Sequence, residues 1–332
     1  MDRDDDVVRA RESAAELSRA GVSAVALTWV DNAGITRVKA VPPERLEHAA
    51  AQGVGASPVF DVFCVDDSIT SSAHIGGPVG DLRLFADLDR LTVLAGQPGW
   101  AWAPADRWTQ EGAPHPGCQR SFARRQAEVA AAAGMDARMA FEIEWFVGRP
   151  EGDGTMPACA GPAYGMTRVI ELSDYSRDLL VALAAQGVPV EQFHPEYGAG
   201  QLELSTAPAG PVEAADRVVL VKQTVRAVSM AHGLRASFAP VVLVDKVGNG
   251  AHLHFSAGRD GGNLLAGGDG AHGLTGEGEA MVAALLAHLP ALCAIGSPSV
   301  ASYLRLVPQR WAGAYQCWGR ENREAALRLV TG

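Results

Sequence analysis

Hydrophobic and polar positions follow two rhythms along the 332 residues, a period near 3.6 that marks helices and a period of two that marks strands. Residues 6–19 carry the helical rhythm and stop at Gly21, predicting an exposed opening helix. In "SAVALTWVDNAGITRVKAVP", Val25, Leu27 and Trp29 alternate, Asp31-Asn32-Ala33-Gly34 supplies a turn, and Pro42 ends a second strand. "DLRLFADL" and "RLTVLAG" are further strand-like pieces ahead of the Trp- and Pro-rich "PGWAWAPADRW". A loop of Pro, Gly and His at 113–117 then predicts a boundary, with a small sheet domain over 1–112 and a larger domain over 113–332.

The larger domain reads as helices at 119–133, 174–186, 212–232 and 279–293, the first three closed by Gly134, Gly187 and Gly233. Ser173 is placed to cap the second of them. Strands are predicted at "ARMAFEIEWFVG", "VPVEQF", "GQLELS" and "GNGAHLHF", with an irregular loop running to about 165 and a mobile glycine-rich stretch at 257–278. An arginine-studded stretch completes the chain, and neither an internal repeat nor a low-complexity tract is present.

The alternation also sorts the chemistry. In "GNGAHLHF", Ala251, Leu253 and Phe255 are set against His252 and His254, so the apolar set is expected on a core and the imidazoles on the opposite face. "FEIEWF" puts Glu142 and Glu144 opposite Ile143 and Trp145, and "HPEYGAGQLELS" brings Glu196 and Glu203 to either side of a glycine turn. A lone H-x-H or E-x-E is ordinarily a solvated strand face. Here both flanks are heavily apolar, and carboxylates in a buried sheet are costly unless compensated. A divalent cation is the economical compensation, and four carboxylates with one imidazole suit Mg²⁺ or Mn²⁺ better than a thiolate-rich zinc site.

Composition narrows the field. With 48% hydrophobic and 20% charged residues the chain is ordinary globular material. A net charge of −10 without a long basic cluster argues against nucleic acid as a partner. The acidic start is neither a signal nor a transit peptide, and the absence of a long uninterrupted apolar run predicts no membrane span. Five scattered cysteines without C-x-x-C spacing point to a reducing, cytoplasmic compartment. Arg305, Arg310, Arg320, Arg323 and Arg328 lie among aromatic and aliphatic residues, where guanidinium groups commonly meet carboxylate or phosphate. Acidic strands facing such arginines describe a phosphoryl-transfer site, and no G-x-x-x-x-G-K-[ST] loop is present.

At these residues the sequence resembles the glutamine synthetase family, from about Trp29 to the end. The motifs are E-x-E in "FEIEWF", E-x-G-x-G-Q-x-E in "EYGAGQLE", G-x-G-x-H-x-H in "GNGAHLH", S-Y-x-R-L-V-P in "SYLRLVP" and N-R-x-x-x-x-R in "NREAALR". The resemblance implies an α+β fold, with an N-terminal β-grasp domain and a catalytic domain built on a curved antiparallel sheet. It also implies a homo-oligomer of stacked rings. The implied reaction joins ammonia or a small primary amine to the γ-carboxylate of glutamate through an acyl phosphate, with ATP and Mg²⁺ or Mn²⁺. By matching motif, Glu144, Glu196 and Glu203 would ligate the metal nearer the amino acid, and Glu142 and His252 the metal nearer the phosphate. His254 would touch the phosphates, with Glu191 and Ser256 nearer the nucleoside. Gly248 and Arg305 would hold glutamate, while Arg323 and Arg328 would neutralise the phosphoryl group.

The family pattern is broken in three places. Val247 stands where an asparagine helps hold the amino acid, and Trp311 stands where a glutamate shields the intermediate and takes a proton from ammonium. The family's later E-x-R segment is not among residues 1–332. These departures lead to an organic amine in place of ammonia, with a non-catalytic family member and an H-x-H metal protein of cupin or hydrolytic type as competing readings. The resemblance further places "SPVFDVFCVDD" in a lid over a neighbouring subunit, with Phe60, Val62 and Phe63 expected to be exposed.

Overall fold

The computed structural model describes residues 3–152 and 154–331; Met1 and Asp2 of the acidic start, Asp153 and Gly332 lie outside the described residues. The chain divides into two compact units. The first comprises Met1–Glu128 with Val181–Val188 and Ala215–Thr224, and the second comprises Val129–Leu180, Pro189–Ala214 and Val225–Gly332.

The first unit contains α1 (Arg3–Arg19), β1 (Ala24–Val30), β2 (Thr36–Val41), α2 (Leu46–Gln52), β3 (Val54–Ala56), β4 (Leu82–Ala86), β5 (Thr92–Val93), β6 (Trp100–Trp108) and the start of α3 (Gln119–Ala132). Its sheet runs β2-β1-β6-β4-β3, with β5 also on β6. The β1–β6 pair is parallel. Val25, Leu27 and Trp29 of β1 form the core with Ala101 and Ala103 of β6, as their alternation predicts. The opening helix departs from expectation: Ala10 and Leu17 are buried in this core. The Trp- and Pro-rich stretch is also more regular than its composition suggests. Pro104, which has no N–H to donate, sits where the ladder to β1 ends opposite Thr28 and the ladder to β4 begins with Ala86 opposite Ala105.

The expected exposure of Phe60, Val62 and Phe63 is corrected as well. Val62 is buried, and Phe60 is half-buried against Trp29, at 5.4 Å between ring centroids, and against Phe63. The Arg37 guanidinium lies over both phenylalanine rings, so these residues are satisfied inside their own unit. Beside them Asp61 is fully buried between Arg107 and His115, with His115 Nε2 at 2.6 Å from Asp61 Oδ2. Burial alone would raise the Asp61 carboxyl, but the hydrogen bond from His115 and the charge of Arg107 win and hold it below its ordinary value.

The second unit is built on one long strand. β7 (Asp136–Glu151) pairs in turn with β8 (Gly154–Pro157), β10 (Gln201–Thr206), β11 (Arg235–Ser237) and β12 (Ala251–Arg259). With β9 (Val190–Pro195) and β13 (Gly262–Asn263) the sheet runs β13-β12-β7-β10-β9, and every pair is antiparallel. Helices α4 (Met166–Glu171), α5 (Ser173–Ala185) and α6 (Pro211–Ala231) intervene. Ile143, Trp145 and Val147 point to a dry side, where Trp145 Nε1 donates to the Tyr175 hydroxyl at 3.2 Å and Ser229 Oγ lies 3.1 Å from that hydroxyl. Glu142 and Glu144 are thereby committed to the other face.

On β12 the alternation persists, but the face opposite the imidazoles is not closed, and Leu253 stays 52% exposed. The glycine-rich stretch expected to be mobile is folded. β12 turns into β13, Leu274 is fully buried, and Arg259 Nη1 donates to both carboxylate oxygens of Glu277. The chain continues through α7 (Gly276–Gly296), α8 (Val300–Arg305) and the parallel pair β14 (Tyr315–Arg320) and β15 (Ala325–Leu329). Among the described residues α7 is long and apolar enough to cross a membrane by length and composition, and little of it is buried. The absence of an uninterrupted apolar run missed it, because His288 and Pro290 interrupt the run without lowering the average enough.

Candidate metal and phosphate site

Antiparallel register assembles the acidic face. Glu203 stands opposite Glu144 across β10 and β7, and His252 stands opposite Glu142 across β12 and β7. Two donor groups result, Glu142 with Glu203 and His252, and His194 with Glu196 and Glu203, each with its ligand atoms within 4.8 Å of one another. Glu203 belongs to both. Glu144 joins through His252, whose Nδ1 is 4.0 Å from its Oε1.

The electrostatics follow from burial. Glu144, Glu196 and Glu203 are buried carboxylates. Burial pushes the Glu144 carboxyl above its usual range, against the pull of Arg305 at 4.0 Å. Glu142 behaves oppositely: His252 Nδ1 and His254 Nε2 each lie 3.0 Å from one of its oxygens and hold it far below the usual range. Glu142 in turn raises His254 through their hydrogen bond, and Glu203 raises His194 in the same way. This donor set, rich in carboxylate oxygen with imidazoles at its edge, fits a hard divalent cation.

The loop before β12 is shaped by close approach. A Cβ on Gly250 would lie 2.6 Å from Arg305 Nη2 and 2.7 Å from Glu144 Oε1; on Gly248 it would lie 2.1 Å from the Pro240 carbonyl oxygen. Glycine at these two positions lets Arg305 reach the carboxylate face.

Several supporting residues escaped the sequence reading. Gln201 donates from Nε2 to Glu144 Oε2 at 2.7 Å and to the Gly248 carbonyl at 3.0 Å. Asn249 donates to the carbonyls of Ser237 and Ala239, anchoring the same loop. The buried Arg168 guanidinium donates to the carbonyls of Gly161, Glu196, Tyr197 and Gly198, fixing the loop that carries Glu196. Tyr164 stacks on His194 and donates its hydroxyl to Glu196. His194 alone had a visible signal, since it lies two residues before Glu196 and so on the same strand face.

The remaining expected site residues are dispersed. Glu191 and Ser256 are exposed on β9 and β12. Arg328, on β15, is near enough to His254 to oppose its protonation. Arg323 is exposed and lines a cavity of about 550 Å³ together with Tyr197, Trp311 and Glu324. Trp311 is 57% exposed, its ring centroid 5.2 Å from that of Tyr197, and its backbone is left-handed at φ +52°.

Comparison with known proteins finds relatives of one family. The family model "Glutamine synthetase, catalytic domain" matches residues 116–332. The chain is 60% identical over 333 residues to the gamma-glutamylpolyamine synthetase GlnA3 of Streptomyces coelicolor, covering 99% of this chain and 72% of that protein. It is 29% identical over 317 residues to the glutamate–methylamine ligase of Methyloversatilis universalis, covering 92% and 70%. A solved structure, described as a novel glutamine synthase homolog, superposes with a TM-score of 0.84 at 37% identity over 92% of this chain and 72% of that one. Sequence and architecture thus agree, and the chain belongs to the glutamine synthetase family of ATP-dependent carboxylate–amine ligases.

Proposed function

We propose that this chain carries the metal, phosphate and amine-selecting parts of a γ-glutamylamide synthetase that prefers an organic primary amine to ammonia. The observation that carries the reading is Trp311 packed on Tyr197, one residue beyond Glu196 of the carboxylate face. An indole carries no charge and takes no proton from ammonium. Its flat face suits an alkylammonium, a contact worth ~0.5–2 kcal/mol. The names of the Streptomyces and Methyloversatilis relatives, a polyamine and a methylamine ligase, agree with an organic acceptor.

Glu144, Glu196, Glu203 and His194 would hold the cation on the amino-acid side, and Glu142 and His252 the one on the phosphate side. When bound, ATP supplies the phosphoryl group and Mg²⁺ or Mn²⁺ supplies charge neutralisation. Arg305 and the Gly248 loop hold glutamate, whose γ-carboxylate oxygen forms a bond to phosphorus as ADP leaves. His254, Arg323 and Arg328 meet the charge that gathers on the moving phosphoryl group. The amine nitrogen then forms a bond to the acyl carbon, phosphate leaves, and one proton is released. Glu191 and Ser256 take the nucleoside end. A division at 112/113, a cytoplasmic location and a homo-oligomer of stacked rings belong to the same reading.

The test is glutamate-dependent ADP release by the full-length protein with ammonium, methylamine, ethanolamine and diamines. Faster turnover with an organic amine is expected. Ammonium outpacing every amine overturns the preference, and no turnover with any acceptor overturns the ligase reading.

A further inference from the structure

The cavity beside Trp311 carries more than an aromatic wall. Glu324 accepts the backbone N–H of Gln309 at 3.0 Å and of Trp311 at 2.5 Å. Both of those residues are left-handed, at φ +63° and +52°, so the carboxylate is what holds this backbone in place. The loop that lacks a glutamate side chain at 311 is therefore seated on a glutamate contributed from 324. Two backbone donors do not exhaust a carboxylate, which offers about four lone-pair sites. The Trp311 ring, turned out by this backbone, meets Tyr197, and the Tyr197 backbone N–H donates to Glu196 Oε2 at 3.0 Å. Tyr197 thus adjoins the carboxylate face through Glu196, and the cavity it lines with Trp311 reaches Glu324.

Open to the surface and about 550 Å³ in volume, the cavity has room for more than a single ammonium, since a water molecule's share of liquid is about 30 Å³. Arg320 Nε donates to Thr331 Oγ1 and Glu321 Oε1 accepts the Thr331 N–H, just beyond β15, while Arg323 also lines the cavity. Glu324 is the acid seated directly against the aromatic wall.

We propose that this cavity is the subsite for the second, non-reacting ammonium of a di- or polyamine, with Glu324 as its anion and the Tyr197 and Trp311 rings lying along the methylene chain. The assignment rests on the amine-ligase reading and names the residue that makes a diamine a better acceptor than a monoamine of equal length. Apolar methylenes gain from the ring faces, and the distal ammonium gains a charge-assisted hydrogen bond.

The experiment measures KM and kcat of the full-length protein for putrescine and for n-butylamine at saturating ATP and glutamate. The parent should bind putrescine more tightly than butylamine. Glu324→Gln keeps an oxygen for a backbone donor but loses the charge, and should shrink the putrescine-to-butylamine KM advantage about tenfold. Glu324→Asp, which keeps the charge, should restore part of it. An equal rise in KM for both amines means that Glu324 only supports the loop and overturns the subsite. A parent without preference for putrescine overturns it too, while turnover with butylamine leaves the ligase reading standing. Absence of turnover with any amine overturns both.

Discussion

Gly250→Ala separates the proposed metal site from the fold. The new Cβ would stand 2.6 Å from Arg305 Nη2, 2.7 Å from Glu144 Oε1 and 3.1 Å from His252 Cε1. Relief to an ordinary contact of about 3.5 Å moves the Glu144 oxygen by roughly 0.8 Å. All three clashing atoms belong to side-chain ends, and Gly250 does not occupy the left-handed region, so the main chain need not move. Metal–ligand distances tolerate only about 0.2 Å, so a shift of that size would take the Glu144 oxygen out of the ligation proposed for it. By analogy with changes to groups that orient ligands, Mn²⁺ affinity should fall about 10- to 100-fold, which is about 1.4–2.7 kcal/mol. Calorimetric titration of Mn²⁺ measures this directly. The rise in melting temperature at fixed Mn²⁺ should shrink in step, while melting without metal stays near that of the parent. Gly248→Ala is the contrast, because its Cβ would meet the Pro240 main-chain oxygen at 2.1 Å and should destabilise the protein with or without metal. Mn²⁺ affinity for Gly250→Ala within about twofold of the parent would refute the placement of Glu144 at the site.

Two other outcomes follow from buried charge. Asp61 is held below its ordinary value by His115 and Arg107 despite its burial, so its stabilisation is present above the unfolded carboxylate value, about 3.9, and is lost as pH falls through the lower folded value. Asp61→Asn should lose about 3–5 kcal/mol near neutral pH and become less acid-sensitive than the parent; urea unfolding curves at neutral and acid pH that differ by a constant would contradict this. Arg168→Lys replaces a fork that reaches four carbonyls with a single ammonium. It should loosen the Glu196 loop and weaken Mn²⁺ binding about tenfold, whereas unchanged titration curves would show that the loop holds its own shape.

Alternation of side chains is a property of neighbouring residues, which is why the sequence alone determined the acidic and imidazole faces of β7, β10 and β12. It also determined the glycine stops after α3, α5 and α6, since a left-handed residue is a local requirement met by Gly134, Gly187 and Gly233. The motifs carried the family as well. Register was decided elsewhere. Nothing local brings Glu203 opposite Glu144 or His252 opposite Glu142, because those strands are far apart in the chain and meet only through the sheet. Gln201, Asn249 and Arg168 look like ordinary polar residues until the backbone groups they satisfy are in place. The reading of Leu253 and of Phe60, Val62 and Phe63 failed for the complementary reason, that a side chain's burial depends on what packs over it. Glu324 is a single acid after an arginine in sequence. Only the return of the 309–311 loop onto the turn just before β15 makes it the seat of Trp311, because hydrogen bonds between distant segments form only after the chain has closed the loop between them.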